Sequence, residues 1–358
     1  MRRPQKRIAF LAIALIAVSG ALAACTSGGS SSSTSSSSDA VKIGLLLPES
    51  KTARYEAFDR PLFESKLKSL GNYEVVYANA DQDAAKQQQQ AESALTQGVK
   101  VLVLDPVDAA AAASIVSEAS AQNVPVISYD RLVTSKDLAY YISFDNEKVG
   151  ELQGTALVDK LKADNTTTGI IMINGSPTDG NAALFKKGAL SVIDPSGIPI
   201  LASYDTPDWS PDKAQEWAAG QITQFGSEIS GVYAANDGTA GGAIAALKAA
   251  GVTPIPPVTG QDAELAAIQR IVAGDQYMTV YKAIKEEAEQ AAVLASKLAS
   301  GDTLTGDTTV DGIQATLLTP VVVTVDNIKD TVVKDGFYTI DQICTPDYAA
   351  ACKTAGLE

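Results

Sequence analysis

The sequence predicts an α/β fold of two similar units, each a parallel sheet covered by helices, and three observations carry that prediction. Short apolar runs alternate with helix-period segments from Val41 onward. The alternation restarts after residues 140–154 (YYISFDNEKVGELQG), as if one unit ended and another began there. At 358 residues and 46% hydrophobic, the chain is long enough for two domains. Pattern alone also fits one larger sheet, in which residues 140–154 are an ordinary strand-to-helix turn.

The first 24 residues read as an export signal. Arg2, Arg3, Lys6 and Arg7 form a positive start, residues 8–18 are an apolar core too short to span a bilayer, and small residues lead to Leu22-Ala23-Ala24-Cys25. That ending is similar to a bacterial lipobox, in which Cys25 would be lipidated. A plain signal peptide with a chance cysteine is the alternative. Residues 25–40 are almost pure Ser, Thr and Gly up to Ser38, a tether that cannot bury enough apolar surface to fold. The folded body is therefore expected to be exported and lipid-anchored to the outer face of the cytoplasmic membrane.

In the first unit, strands are expected at 41–47, 73–78, 99–104, 124–129 and 140–142, with helices near 55–70, 84–98 and 108–122. The strands are mostly apolar, and with the intervening helices they mark a parallel sheet covered on both faces. Asp145 or Asn146 can cap the helix that opens the second unit. There, strands are expected at 169–173, 198–204, 231–235, 258–260 and 278–281, with helices near 181–193, 210–226, 238–250 and 263–273. A long helix follows to Leu298, then a Gly/Asp/Thr-rich loop, a strand at 321–325 and a short tail.

Composition removes several function classes. The formal net charge is -14, and without residues 1–24 there remain 24 basic against 42 acidic side chains, a net -18. That disfavours nucleic acid as a partner. The chain has no histidine, which excludes histidine-based catalysis and a histidine metal site. No Gly-x-Gly-x-x-Gly follows a strand and there is no P-loop, so neither cofactor nor metal is expected.

In open parallel sheets, ligands bind off the carboxyl ends of the strands. In this sequence those ends carry Arg54 and Tyr55, then Asp130-Arg131, after the unit change Asp145-Asn146, and in the second unit Asp179 and Asn181, Asp208-Trp209, Asn236-Asp237, Gln261-Asp262 and Lys282. Each taken singly fits turn chemistry. Together they bring planar hydrogen-bonding groups and flat aromatic faces to one rim, which suits a sugar: its hydroxyls pair with Asp, Asn and Arg while its C–H face stacks on Tyr or Trp.

Longer motifs point the same way. Val41-Lys-Ile-Gly44, Tyr129-Asp-Arg131, residues 141–153, Gly175-Ser-Pro177, Asn236-Asp237 with Thr239-Ala-Gly-Gly-Ala-Ile244, Gly260-Gln-Asp262, Met278-Thr-Val-Tyr-Lys282 and residues 328–337 resemble the type I periplasmic sugar-binding proteins of ABC importers, in particular the bacterial xylose-binding proteins. The resemblance implies two Rossmann-like lobes joined by three crossings near Phe144, Lys282 and Val321. The lobes would comprise residues 41–143 with 283–320, and 144–282 with 321–358. It implies a monomer that closes on one monosaccharide, D-xylose first and glucose, galactose or arabinose as alternatives, and delivers it to an ABC permease. The sugar contacts it suggests are Arg54, Tyr55, Asp130, Arg131, Asp179, Asn181, Trp209, Asn236, Asp262 and Lys282. Arg54, Arg131 and Lys282 would donate, the Asp and Asn side chains would accept from hydroxyls, and Tyr55 and Trp209 would sandwich the ring. Tyr55 stands where the family has Trp and Gly180 where it has Asn, and residues 48–52 depart from its acidic stretch, so the choice of sugar stays open.

A repressor of similar core would carry a DNA-binding helix-turn-helix where this chain has a signal and a tether. An extracytoplasmic glycosidase using two carboxylates is the enzyme alternative; no enzyme activity is expected. Cys344 and Cys352 are the only cysteines besides Cys25. In an exported chain they are expected to form a disulfide, with two free thiols as the alternative.

Overall fold

The computed structural model describes residues 39–358. The export signal, Cys25 and all but the last two residues of the expected tether lie outside the described residues. Strands β1 (Val41–Leu47), β2 (Tyr73–Asn79), β3 (Val101–Leu104), β4 (Val126–Tyr129) and β5 (Tyr140–Phe144) pair in parallel, in the order β5-β4-β3-β1-β2. Helices α1 (Arg60–Leu70), α2 (Ala84–Thr96) and α3 (Ala113–Ala121) lie between them in sequence. Ile43, Leu45 and Leu47 of β1 pack with Phe63 and Leu67 of α1. Leu46 faces the other way, in a second core with Ala91 and Ala94 of α2 and Val116 of α3. Burial on both faces is why β3 and the end of β1 read as apolar runs, whereas β2, at the sheet edge, is only partly buried and carries Glu74.

Asp145 caps α4 (Asn146–Ala163), its carboxylate accepting from the Lys148 N–H at 3.0 Å. Asn146 is the first helical residue, buried, with its amide donating to Ser143 Oγ at 3.2 Å. Helix α4 leaves the first sheet and packs on α5 (Gly180–Ser196). The contact is backbone against backbone: a Cβ at Gly150 would fall 1.9 Å from the Phe185 carbonyl oxygen, and one at Gly188 1.9 Å from that of Glu147.

The second sheet has β6 (Ile170–Asn174) between β7 (Ile200–Asp205) and β8 (Gly231–Ala234), all parallel. Helices α6 (Pro211–Phe225), α7 (Asp237–Ala249) and α8 (Leu265–Ala273) accompany it. The strand expected at 258–260 is reduced to a single bridge, Val232 to Val258. Pro254, Pro256 and Pro257 have no N–H to give a ladder. The Thr259 hydroxyl takes over part of that pairing, accepting from Ala234 N–H at 2.9 Å and donating to its carbonyl at 3.0 Å.

After β9 (Thr279–Tyr281) the chain returns to the first sheet through α9 (Ile284–Ala299), whose Ala288, Ala291, Ala292 and Ala295 face the core of Phe63 and Leu67. The stretch expected to be a loop then forms a hairpin of β10 (Thr308–Val310) and β11 (Ile313–Leu318), and β11 joins the sheet parallel to β5. Asp311 and Gly312 turn it at φ 50° and 87°, the left-handed pair that a two-residue hairpin needs. That Asp-Gly pair was the hairpin signal in a stretch dominated by Gly, Asp and Thr. A third crossing leads to β12 (Val321–Val323), antiparallel to β9. The tail carries α10 (Ile340–Ile343) and α11 (Ala349–Thr354). A disulfide joins Cys344 to Cys352, with Cα atoms 5.8 Å apart.

Candidate ligand-binding site

The carboxyl ends of the two sheets face a common cavity whose free volume is about 20 Å³, room for little more than one water. All ten residues named from the sequence line it. Arg54 and Tyr55 open the helical turn that leads into α1, and Asp130 and Arg131 come from the end of β4. Asp179 and Asn181 open α5, Trp209 ends the turn after β7, Asn236 caps α7, and Asp262 and Lys282 flank β9. Three sit at a backbone conformation that L-residues seldom adopt: φ is 54° at Asp130, 53° at Trp209 and 90° at Asp262. Gly175 makes room for the indole of Trp209, since a Cβ there would fall 2.0 Å from the ring.

Three buried cations organise the site. Arg54 forks onto Asp59 at 2.9 and 2.6 Å, reaches Glu287 at 2.6 Å and Asp130 at 3.2 Å. Arg131 lies 3.0 Å from Asp179, 3.5 Å from Asp105 and 3.6 Å from Glu49, and donates to the Tyr55 hydroxyl at 3.0 Å. Lys282 pairs with Asp262 at 2.9 Å, with its ammonium 5.5 Å from the ring centre of Phe144 and 5.8 Å from that of Phe185. Facing these three cations are seven buried carboxyl groups: Glu49, Asp59, Asp105, Asp130, Asp179, Asp262 and Glu287.

Burial divides these acids. It pushes the Glu49, Asp105, Asp179 and Glu287 carboxyls up, against the pull of Arg131 or Arg54. Burial opposes ionisation of Asp130 too, but Arg54, Lys282 and Arg131 outweigh it and hold that carboxyl down at about 2. The cluster is thus nearer neutrality than the count of seven against three suggests.

The side chains differ in what they have left to offer a ligand. Asp179 is occupied by Asn181 N–H at 2.8 Å and by the Trp209 Nε1–H at 3.0 Å. Asp130 accepts from Arg54 and, at 3.0 Å, from the Tyr55 hydroxyl. Asn236 caps α7: its Oδ1 accepts from the Thr239 N–H at 2.9 Å and lies 2.8 Å from the Thr239 hydroxyl, whose proton the Asn236 carbonyl oxygen also faces at 3.0 Å. Its amide nitrogen is the group left to donate. Asn181 is the reverse, its amide donating to the Asp130 carbonyl at 3.0 Å while its Oδ1 accepts no hydrogen bond from the protein. Gln261 Oε1 is likewise buried without a donor.

Thr52, Phe185 and Gln261 also line the cavity and were not among the ten. Phe185 lies one helical turn beyond Asn181 and meets Trp209 edge to face at 6.3 Å. Behind the lining, Asp105 ends β3, a strand end that the rim argument passed over. Glu287 lies on the alanine-rich face of α9, where an acid among buried alanines was a legible signal. Larger depressions lie elsewhere, one along residues 254–257 and Tyr277 and another between residues 132–136 and Leu184, but the buried charges concentrate at the small cavity. Among the described residues, no group of His, Cys, Asp and Glu is placed to hold a metal ion.

Residues 43–303 match the family described as periplasmic binding protein domain. The chain belongs to that family. A D-xylose-binding periplasmic protein of Escherichia coli (strain K12) is 40% identical over 306 residues, 83% of this chain and 91% of that protein. One of Haemophilus influenzae is 37% identical over 338 residues, 92% of this chain and 98% of that protein. A solved ABC transporter solute-binding protein from Clostridium phytofermentans, with bound β-D-glucose, is 29% identical with a TM-score of 0.77, covering 84% of this chain and 99% of its own. The two lobes with three crossings are the type I periplasmic binding protein fold. As a member of this family, the chain is an extracytoplasmic solute-binding protein rather than an enzyme.

Proposed function

We propose that the chain captures a single monosaccharide, D-xylose before other aldoses, and delivers it to an ABC importer. The observation that carries the reading is the pairing of buried, unpartnered acceptors, Asn181 Oδ1 and Gln261 Oε1, with the buried donors of Arg54, Arg131 and Lys282 around one cavity at the carboxyl ends of both sheets. Unmatched buried acceptors cost stability, and a polyol that supplies donors in a fixed geometry removes that cost. The proteins of E. coli and H. influenzae, named for D-xylose, support the choice of sugar.

In this reading the ten residues from Arg54 to Lys282 touch the sugar. Residues 41–143 with 283–320 form one lobe, residues 144–282 with 321–358 the other, and the body is a monomer. Cys25 is lipidated and residues 25–40 tether the body to the membrane. Calorimetry against D-xylose, D-glucose, D-galactose and L-arabinose tests the first part, with an expected dissociation constant on the order of micromolar for D-xylose. No heat with any aldose would end it. For the anchor, Cys25→Ser should release the protein from the membrane fraction, and retention there would remove Cys25 as the attachment point.

A further inference from the structure

Asp237 follows the cavity-lining Asn236 without reaching the cavity itself, and it is fully buried at the start of α7. Its Oδ1 accepts from Gln276 Nε2 at 2.7 Å, and its Oδ2 from the Thr279 hydroxyl at 2.8 Å and the Glu264 N–H at 3.0 Å. Its own N–H donates to the Gln261 carbonyl at 3.0 Å. Thr279 Oγ1 in turn accepts from the Ala263 N–H at 3.2 Å. One residue therefore holds residues 261–264 at both ends and, through Thr279, in the middle.

That short segment carries Gln261 and Asp262 into the cavity. It does so at φ 90° for Asp262 and 51° for Ala263, a conformation that persists only where the surroundings enforce it. Gly260 lets the carboxylate come this close, since a Cβ there would stand 2.0 Å from Asp237 Oδ1. Thr279 lies three residues before Lys282, the partner of Asp262 at 2.9 Å. Both halves of that pair thus depend on the same buried carboxylate.

We propose that Asp237 is a positioning residue, which holds Asp262 and Gln261 in a strained turn so that they meet the ligand in register with Lys282. The inference rests on the reading of the cavity as the sugar site. If Asp237 only stabilised α7 or the second lobe, its loss would act on the whole lobe and not selectively through Asp262.

Asp237→Asn keeps the shape but turns an amide toward the donors of Gln276, Glu264 and Thr279; Thr279→Val removes one link alone. In the sugar-free protein, amide hydrogen exchange of residues 261–264 should rise in both variants while β1 to β5 stay protected. D-Xylose affinity should fall about tenfold or more in Asp237→Asn. In an Asp262→Ala background the further loss should be less than about twofold, because the group being positioned is gone. In a Tyr55→Phe background the full loss should remain. Unchanged exchange at 261–264, or an equal affinity loss in both backgrounds, overturns the inference. Should Asp237→Asn fail to fold, Thr279→Val is held to the same two readings. Should the native protein bind no sugar, the sugar reading falls, and the exchange measurement judges Asp237 by itself.

Discussion

Arg131 Nε lies 3.0 Å from Asp179 Oδ2, joining the residue after β4 in one lobe to the cap of α5 in the other. Both side chains are buried. Removing one partner of a buried pair leaves the other uncompensated, at about 3–5 kcal/mol. Arg131 keeps Asp105 and Glu49 within 3.6 Å, so Asp179→Ala is expected near the lower end, about 3 kcal/mol in urea unfolding. A cost indistinguishable from zero would show that the pair contributes nothing net.

The lobes also meet through Ala109 N–H on the Thr178 carbonyl at 3.1 Å and Asn181 Nδ2 on the Asp130 carbonyl at 3.0 Å. These contacts, like those around the cavity, need both lobes together. Sugar should therefore shift the population from open to closed forms. The radius of gyration from small-angle scattering should be smaller with saturating D-xylose than without, at constant mass. An unchanged radius argues against ligand-driven closure.

Asp262→Ala and Trp209→Phe probe the site from its two sides. The first removes the partner of Lys282, the second the Nε1–H donated to Asp179. Each should weaken D-xylose binding by about 1–3 kcal/mol, read by calorimetry. Affinity within twofold of the native protein in either variant would remove that residue's polar group from the site.

Stability should fall as pH rises from mildly acidic to alkaline. Burial pushes Asp237 up to about 7, and burial with the charges of Asp237 and Asp262 pushes Glu264 up to about 8. A raised acid binds its proton more tightly when folded, so its contribution is complete below the unfolded pKa and is lost as pH rises through the folded one. The slope is at most about 1.4 kcal/mol per pH unit for each group, and less for Glu264, which is partly exposed. Asp130, held at about 2, acts in the opposite sense, and its contribution is lost as pH falls from about 4 toward 2. The melting temperature should peak near pH 4, where the two windows meet, and decline until about pH 8, with a shallower decline in Asp237→Asn. A steady rise from pH 5 to 8 would contradict this account.

Anionic sugars should be rejected. Each of the three buried cations already faces at least two carboxyl groups within 4 Å, so a ligand carboxylate would be buried without a cation of its own. D-Glucuronate should compete with D-xylose on the order of 100-fold less well than D-glucuronamide, which matches its shape without the charge. Equal competition by the two would refute the charge argument.

The sequence by itself determined the parallel sheets, the restart of the pattern after Phe144 and the polar and aromatic residues at the strand ends, from which the family resemblance singled out ten. These follow from local rules: unbroken apolar runs such as 101–104 are buried on both faces, and polar turn residues collect where strands stop. The β10–β11 hairpin was hidden because its short strands lie among Gly and Asp residues that read as loop, and it is stabilised by pairing with β5, 174 positions away in the chain. Tertiary structure alone decided how each polar group is used. The turn into α7 places the Asn236 oxygen on the Thr239 N–H, and Asp59 and Glu287 close on Arg54 from α1's entry and from α9. Which lone pairs and protons remain for a ligand depends on partners that meet only when the two lobes and their crossings are assembled, and no local pattern encodes those distances.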